Sequence, residues 1–321
     1  MVSWTDERAR ERVGRVLRQS SPGCRLLDGF AEWLRERREM KPISVAHRVR
    51  FGREFLERIC GELHAEDVLP AIGPADVERF FVTYAASHQI ATRRCMRASL
   101  RRLLRFAAER GLASADLAEA VPSVYAFRLS SVPVGIKDED IDRVVSSLAP
   151  DSETRSRDRA ILLVLGTYGV RTGQVVDLRV GDVCWTEKRI EFRGQKGGRA
   201  VRHVLTPAVA EGLALYLRYY RPPVEHDYVF VRRGQPSAPL SDAGVRAAVS
   251  RRIREAGVVD GPRCPRAFRY ALASRLLAAR QPFKVVSDAL GHQSPRATAC
   301  YAKVNRLHLM EAALEWQDVT E

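Results

Sequence analysis

Between Cys24 and Gly111 the apolar residues recur three and four apart, a period that builds helices and excludes strands. RLLDGFAEWLRERR shows it first. PISVAHRVRFGREFLERIC repeats it and opens on Pro42, a favourable first-turn residue. A break over Pro70–Pro74 precedes a third helix, ADVERFFVTYAAS. A fourth, ATRRCMRASLRRLLRFAAERG, stops at Gly111. Residues 1–19 read as a short amphipathic helix or arm. Residues 20–130 are expected to form one all-helical domain. Residues 112–137 carry Pro122, Pro133 and Gly135 without a clear period and read as a linker. The boundary is placed near residue 131.

The second part, 131–321, mixes periods. Asp138 is placed to cap DEDIDRVVSSLA. RDRAILLVLGTYG reads as a buried helix, and VRTGQVVDLRVGDV as a short helix and a turn. RIEFRG and RAVRHVLT are strand-like, joined by QKGG, a hairpin turn with adjacent glycines. PAVAEGLALYLRYY is helical and HDYVFV a short strand. SDAGVRAAVSRRIREAG is a helix capped by Ser241 or Asp242. Further helices follow around Arg266, over PFKVVSDALG, around Tyr301 and over NRLHLMEAALEW. The fold class expected is mainly α with a small β-sheet or hairpin.

Charge narrows the partner. Across 321 residues the net charge is +14, and arginine outnumbers lysine 47 to 6. An excess of guanidinium suits phosphate oxygens and points to nucleic acid; a GC-rich genome favours arginine too. On the fourth helix Arg94, Arg97 and Arg101 fall at helical spacing among further arginines. That face is either solvated or laid along a DNA backbone. Arg246, Arg251 and Arg254 mark a second basic helix. No apolar run reaches the about 18–20 residues of a membrane span. The charged beginning, MVSWTDERARERVGRVLRQ, lacks a signal peptide's apolar core, so a cytoplasmic, nucleoid-associated protein is expected. Six scattered cysteines without metal spacing read as free thiols, and no metal or cofactor is expected.

The stretch from Arg263 to Tyr301 concentrates groups that can hold a phosphate: Arg266 with Arg269, His292 and Tyr301. Displacement at a phosphodiester needs an in-line nucleophile, cations for the non-bridging oxygens and a proton for the leaving oxygen. Singly, each candidate has an ordinary explanation. Arg171 after Gly169 can be structural, Lys196 a solvated turn residue, His292 a helix-end cap and Tyr301 a core aromatic. Arg269 lies on an apolar helix, where burial without an anion is costly.

Taken in order, Gly169-x-Arg171, Lys196 in a β-turn, Arg266-x-x-Arg269, Leu290-Gly291-His292 and Tyr301 nine residues on resemble the tyrosine recombinase (phage integrase) family. The motifs cover about residues 138–315, and the domain order extends the likeness to the helical half. The resemblance implies a helical core-binding domain and an α+β catalytic domain closing as a C-shaped clamp on double-stranded DNA. It implies that Tyr301 attacks the scissile phosphate and forms a 3′-phosphotyrosyl bond. Arg171 and Arg269 hold the non-bridging oxygens, Lys196 protonates the leaving 5′-oxygen and His292 donates to the phosphate. It further implies a dimer or tetramer on paired sites, with or without other recombinases, in integration or transposition of a bacterial mobile element. In the tail, Leu307, Met310, Ala313 and Leu314 either pack on their own domain or dock on a neighbouring protomer.

Two positions depart from the family pattern. Arg266 replaces the first histidine of H-x-x-R; it can donate but cannot act as a base. Gln174 replaces an acid three residues past Arg171. Two other readings stay open: a type IB topoisomerase that reseals the original strand, and a catalytically impaired DNA-binding partner of another recombinase.

Overall fold

The computed structural model describes residues 24–291, apart from 38, 41, 62, 126–133, 195–199 and 235–237. The expected helices around Tyr301 and the C-terminus, the linker centre, and Lys196, His292 and Tyr301 lie outside these residues. The chain divides into two compact units between Arg128 and Leu129.

The first unit contains helices α1 (Cys24–Glu36), α2 (Pro42–Cys60), α3 (Ala65–Val68), α4 (Pro74–Ala86) and α5 (Ile90–Glu109). These follow the period of the apolar residues. Phe30 and Trp33 from α1 meet Phe106 of α5 at ring distances of 5.6 and 5.8 Å. Phe55 of α2 meets Phe80 of α4 edge-on at 4.9 Å, an arrangement favoured by the ring quadrupoles. Trp33 Nε1 donates to Glu109 Oε2 at 3.0 Å, so its polar edge is satisfied at the rim. The first part of the expected linker belongs to this core. A 3₁₀ turn at Ala115–Ala118 buries Leu117 and Ala118, and Val121 follows them inside. Three scattered apolar residues set no period, so the sequence pattern concealed them.

The second unit is organised on helix α7 (Glu153–Tyr168), preceded by α6 (Asp138–Ser146). Ala160, Ile161, Leu162, Val164 and Leu165 are fully buried, so α7 is covered on nearly every side. Ser152 caps it by accepting from the Arg155 N–H. Around it stand α8 (Thr172–Val176), α9 (Pro207–Leu215), α10 (Asp242–Glu255) and α11 (Pro265–Ala278); α12 (Phe283–Ala289) packs on α11. The sheet is antiparallel in the order β1 (Val183–Cys184), β2 (Arg189–Phe192), β3 (Val201–Val204), with Ile190 opposite His203. Tyr168 ties α7 to it: Oη donates to the Val204 carbonyl at 2.9 Å and accepts from Thr206 N at 3.2 Å.

Three expectations need correction. Asp138 is the first helical residue of α6, with Lys137 as N-cap; its carboxylate faces Arg275 at 3.2 Å instead. HDYVFV forms no strand but two isolated bridges, Arg179 with Tyr228 and Val231 with Pro239. β1, in what reads as a turn, pairs with β2. For α10 the cap is Ser241, which accepts from the Gly244 N–H at 3.1 Å.

One buried charge fixes α10 to the hub helix. Asp158 is 1% exposed. Its Oδ1 accepts from Arg157 Nη2 at 2.8 Å, and its Oδ2 from Arg251 Nη2 and Arg252 Nε, both at 2.9 Å. Arg157 also donates to the Val231 carbonyl at 3.0 Å, and Arg252 to Glu255 Oε2 at 2.6 Å. A carboxylate so far from water is tolerated because its lone pairs are filled. Asp158→Ala leaves Arg157 and Arg252 buried without their shared anion. It is expected to cost about 3–5 kcal/mol, read as a lower urea midpoint for the full chain.

Candidate active site

The site assembles where α7 ends. Gly169 terminates that helix with φ +56°, a left-handed conformation that favours glycine. A Cβ there would lie 2.9 Å from Leu272 Cδ2 and 3.3 Å from the Arg269 Cα, so the turn and α11 are in close approach. Val170 is buried, and Arg171 follows as the N-cap of α8, half-buried.

Arg269, on α11 and 6% exposed, closes the arrangement. Its Nη1 donates to the Gly169 carbonyl at 2.9 Å and its Nη2 to the Leu290 carbonyl at 2.6 Å. Both acceptors lie at helix C-termini, of α7 and of α12, where the dipole favours a cation. These carbonyls orient the guanidinium without cancelling its charge. Arg171 Nη1 approaches the Gly291 carbonyl at 3.4 Å. Gly291 has φ +60°, and a Cβ on it would meet Val201 Cγ2 at 2.5 Å, so only glycine lets this turn lie against β3. The segments Gly169–Arg171, Arg266–Arg269 and Leu290–Gly291 thus meet at one place, with the hairpin strands beside them.

Arg266 sits in the first turn of α11, after Pro265, and is exposed. Residues three apart share a helix face, so Arg266 and Arg269 line one side, the former at the positive end of the helix. Gln174, 4% exposed, orients its neighbours by hydrogen bonds, as an uncharged residue in the place of an acid can. Its Oε1 accepts from the Arg171 N–H at 3.0 Å, and its Nε2 donates to the Arg193 carbonyl at 3.3 Å, just past β2. Glutamine three residues into a helix is the legible signal; nothing marked Arg193. The Arg193 guanidinium contacts both Asp182 oxygens, at 3.2 and 3.1 Å, which pushes its pKa further up. His203 packs on Tyr168 and Phe192, at 5.0 and 5.9 Å, and burial lowers its pKa.

The candidate DNA-contacting arginines separate into two groups. Arg97 donates to the Pro122 carbonyl and Ser123, Arg101 pairs with Glu119, and Arg251 with Asp158. Arg94 and Arg254 are exposed, and Arg246 is exposed beside Asp242 at 2.6 Å. Among the described residues no group of three or more His, Cys, Asp or Glu side chains is placed to hold a metal ion, and no helix is long and apolar enough to cross a membrane.

Comparison with known proteins agrees with this geometry. The pattern of the phage integrase family matches residues 136–308. The Sinorhizobium fredii chain y4rF, whose name assigns it to integrases or recombinases, is 32% identical over 306 residues, 92% of this chain and 70% of that one. Tyrosine recombinase XerC of Rhizobium meliloti is 28% identical over 289 residues, 87% of this chain and 88% of that one. In fold, the chain resembles the XerH site-specific recombinase bound to its difH substrate, with a TM-score of 0.68 and 19% identity over 90% of this chain and 84% of that one. A lambda integrase dimer bound to a core site gives 0.63 and 14%, over 92% and 98%. The chain belongs to the phage integrase family of tyrosine-type site-specific recombinases.

Gly169→Ala forces a left-handed Cβ residue against Leu272 and the Arg269 backbone. A loss of about 1–3 kcal/mol is expected, visible as a lower melting temperature of the full chain.

Proposed function

We propose that the chain cuts and rejoins duplex DNA by site-specific recombination through a 3′-phosphotyrosyl intermediate. The observation carrying this reading is the placement of Arg269 between the Gly169 and Leu290 carbonyls, with Arg171 bonded to Gly291. Two guanidiniums are thereby held by carbonyl oxygens in one place, where cations can meet a phosphate. Tyr301 gives its proton to water, since Arg266 cannot accept it, and its oxygen bonds to phosphorus. The phosphorus–O5′ bond breaks, and O5′ takes a proton from Lys196 to leave as a hydroxyl. His292 donates to a non-bridging oxygen. One phosphoester replaces another, so the energy for rejoining is retained. Arg266 adds positive charge at the mouth of the pocket.

Exposed Arg94, Arg246 and Arg254 supply phosphate contacts, which make affinity fall steeply with salt. The DNA is read by α10 in one groove and by the first unit in another. Two or four protomers act on paired sites of a mobile element in the nucleoid, in keeping with lambda integrase as a dimer bound to a core site and as a tetramer bound to a Holliday junction.

The test uses nicked duplexes from the DNA flanking the protein's own gene, in EDTA, with a denaturing gel as readout. Wild type is expected to give a covalent protein–DNA band and Tyr301→Phe none. A band that survives Tyr301→Phe identifies a different nucleophile. Absence of a band on DNA that the protein binds favours a DNA-binding partner, and supercoil relaxation without recombinant product favours a topoisomerase.

A further inference from the structure

Gln174 occupies a place where two requirements meet. The Arg171 N–H can only donate and the Arg193 carbonyl can only accept, so the amide's orientation is fixed by its partners: oxygen toward Arg171, nitrogen toward Arg193. The side chain is 4% exposed, so water does not compete for either bond. A carboxylate could satisfy Arg171 but would set a second acceptor against the Arg193 carbonyl. The neutral amide alone, of the two, can bridge the arginine turn and the strand exit.

Arg193 is also held at its other end. Its guanidinium grips both oxygens of Asp182, and Asp182 Oδ2 accepts from the Arg179 N–H at 2.9 Å. The chain leaving β2 is therefore clamped at backbone and side chain, three residues ahead of Lys196 in the sequence. Arg193 lies one residue past the last ladder pair, Phe192 with Val201, where sheet pairing no longer sets the chain's course.

We infer that Gln174 is a positioning residue which, through the Arg193 carbonyl, fixes the hairpin exit relative to Arg171 and thereby aligns the group that protonates the leaving oxygen. The inference rests on the recombinase reading and assigns it a residue and a bond. Arg193 and Asp182 complete the brace.

The test separates alignment of the proton donor from alignment of the phosphate. Two duplexes are compared, both from the DNA flanking the protein's own gene. One carries the ordinary scissile phosphodiester. The other has sulfur in place of the bridging 5′-oxygen. With oxygen, the departing electron pair must be met by a proton. With sulfur it leaves as a stable thiolate and needs none.

Gln174→Glu keeps the acceptor for Arg171, loses the donor to Arg193 and adds a negative charge at that place. It is expected to slow adduct formation on the oxygen duplex by about 10-fold or more, the scale of one lost buried hydrogen bond, and to stay within about 2-fold of wild type on sulfur. Asp182→Asn, which weakens the other end of the clamp, is expected to show the same selectivity more mildly. Gln174→Glu combined with Lys196→Ala should be no slower on oxygen than Lys196→Ala alone, because both act at one step. Equal slowing on both duplexes overturns the inference and makes Gln174 a support of Arg171 or of the fold. An unchanged rate on oxygen overturns it as well. Failure of wild type on both duplexes sinks the recombinase reading itself, a result distinct from either.

Discussion

The second unit depends on one guanidinium standing between two helix ends. Arg269 donates to the last carbonyls of α7 and of α12, and each of these helices otherwise leaves such groups unmet. The same contacts do two jobs. They satisfy buried acceptors, and they hold a cation in place through carbonyl oxygens. Replacing those carbonyls by carboxylates would give a stronger pair but a neutralised one. A phosphate-handling site needs the cation fixed and still charged, and helix C-termini supply that combination. The left-handed glycines 169 and 291 follow from it: Gly169 offers its own carbonyl to Arg269, and Gly291 turns directly after Leu290 offers its carbonyl.

Charge elsewhere in the molecule is spent differently. The net +14 suggests a generous DNA face, yet several arginines work internally. Arg101 and Arg105 share Glu119, Arg97 grips the chain after the 3₁₀ turn, and Arg157, Arg251 and Arg252 converge on Asp158. Exposed pairs such as Arg105–Glu119 contribute little to stability. The Asp158 cluster is another matter, since it registers α10 against the hub helix before any DNA arrives. A positive count therefore overstates the binding surface; of the candidate DNA-contacting arginines, Arg94, Arg246, Arg251 and Arg254 are exposed, Arg251 while bonded to Asp158.

Much of this was legible before the structure. Helices α1, α2, α4, α5 and α7 follow from apolar spacing, because burial on one face leaves a periodic trace. β2 and β3 follow from alternation beside a glycine pair. What left no trace were contacts between segments distant in sequence. Asp158 looks like any helix acid until Arg251 and Arg252, more than ninety residues on, are folded against it. HDYVFV has a strand's composition but finds only single bridges, because strand formation needs a partner edge as well as propensity. Among the site residues, motif order identified Arg171, Arg266 and Arg269, but not that Arg269 is held by the glycine turns of the other two motifs. Lys196, His292 and Tyr301 rest on the sequence motifs.

The two departures from the family pattern, Arg266 and Gln174, bear on the same quantity. An arginine at 266 adds a charge that a neutral histidine lacks, and an amide at 174 withholds a negative charge that an acid would bring. Both raise the positive potential at the pocket. A potential of that kind attracts the phosphodiester in the ground state as well as in the transition state. Attraction shared by both states tightens binding without hastening chemistry. Faster chemistry must come from groups placed where charge changes during the reaction, at the entering and leaving oxygens. A guanidinium at 266 cannot take the proton of an entering nucleophile, so it contributes charge and not base catalysis. The buried amide of Gln174 ties the turn at Arg171 to the chain leaving β2 without adding charge of either sign.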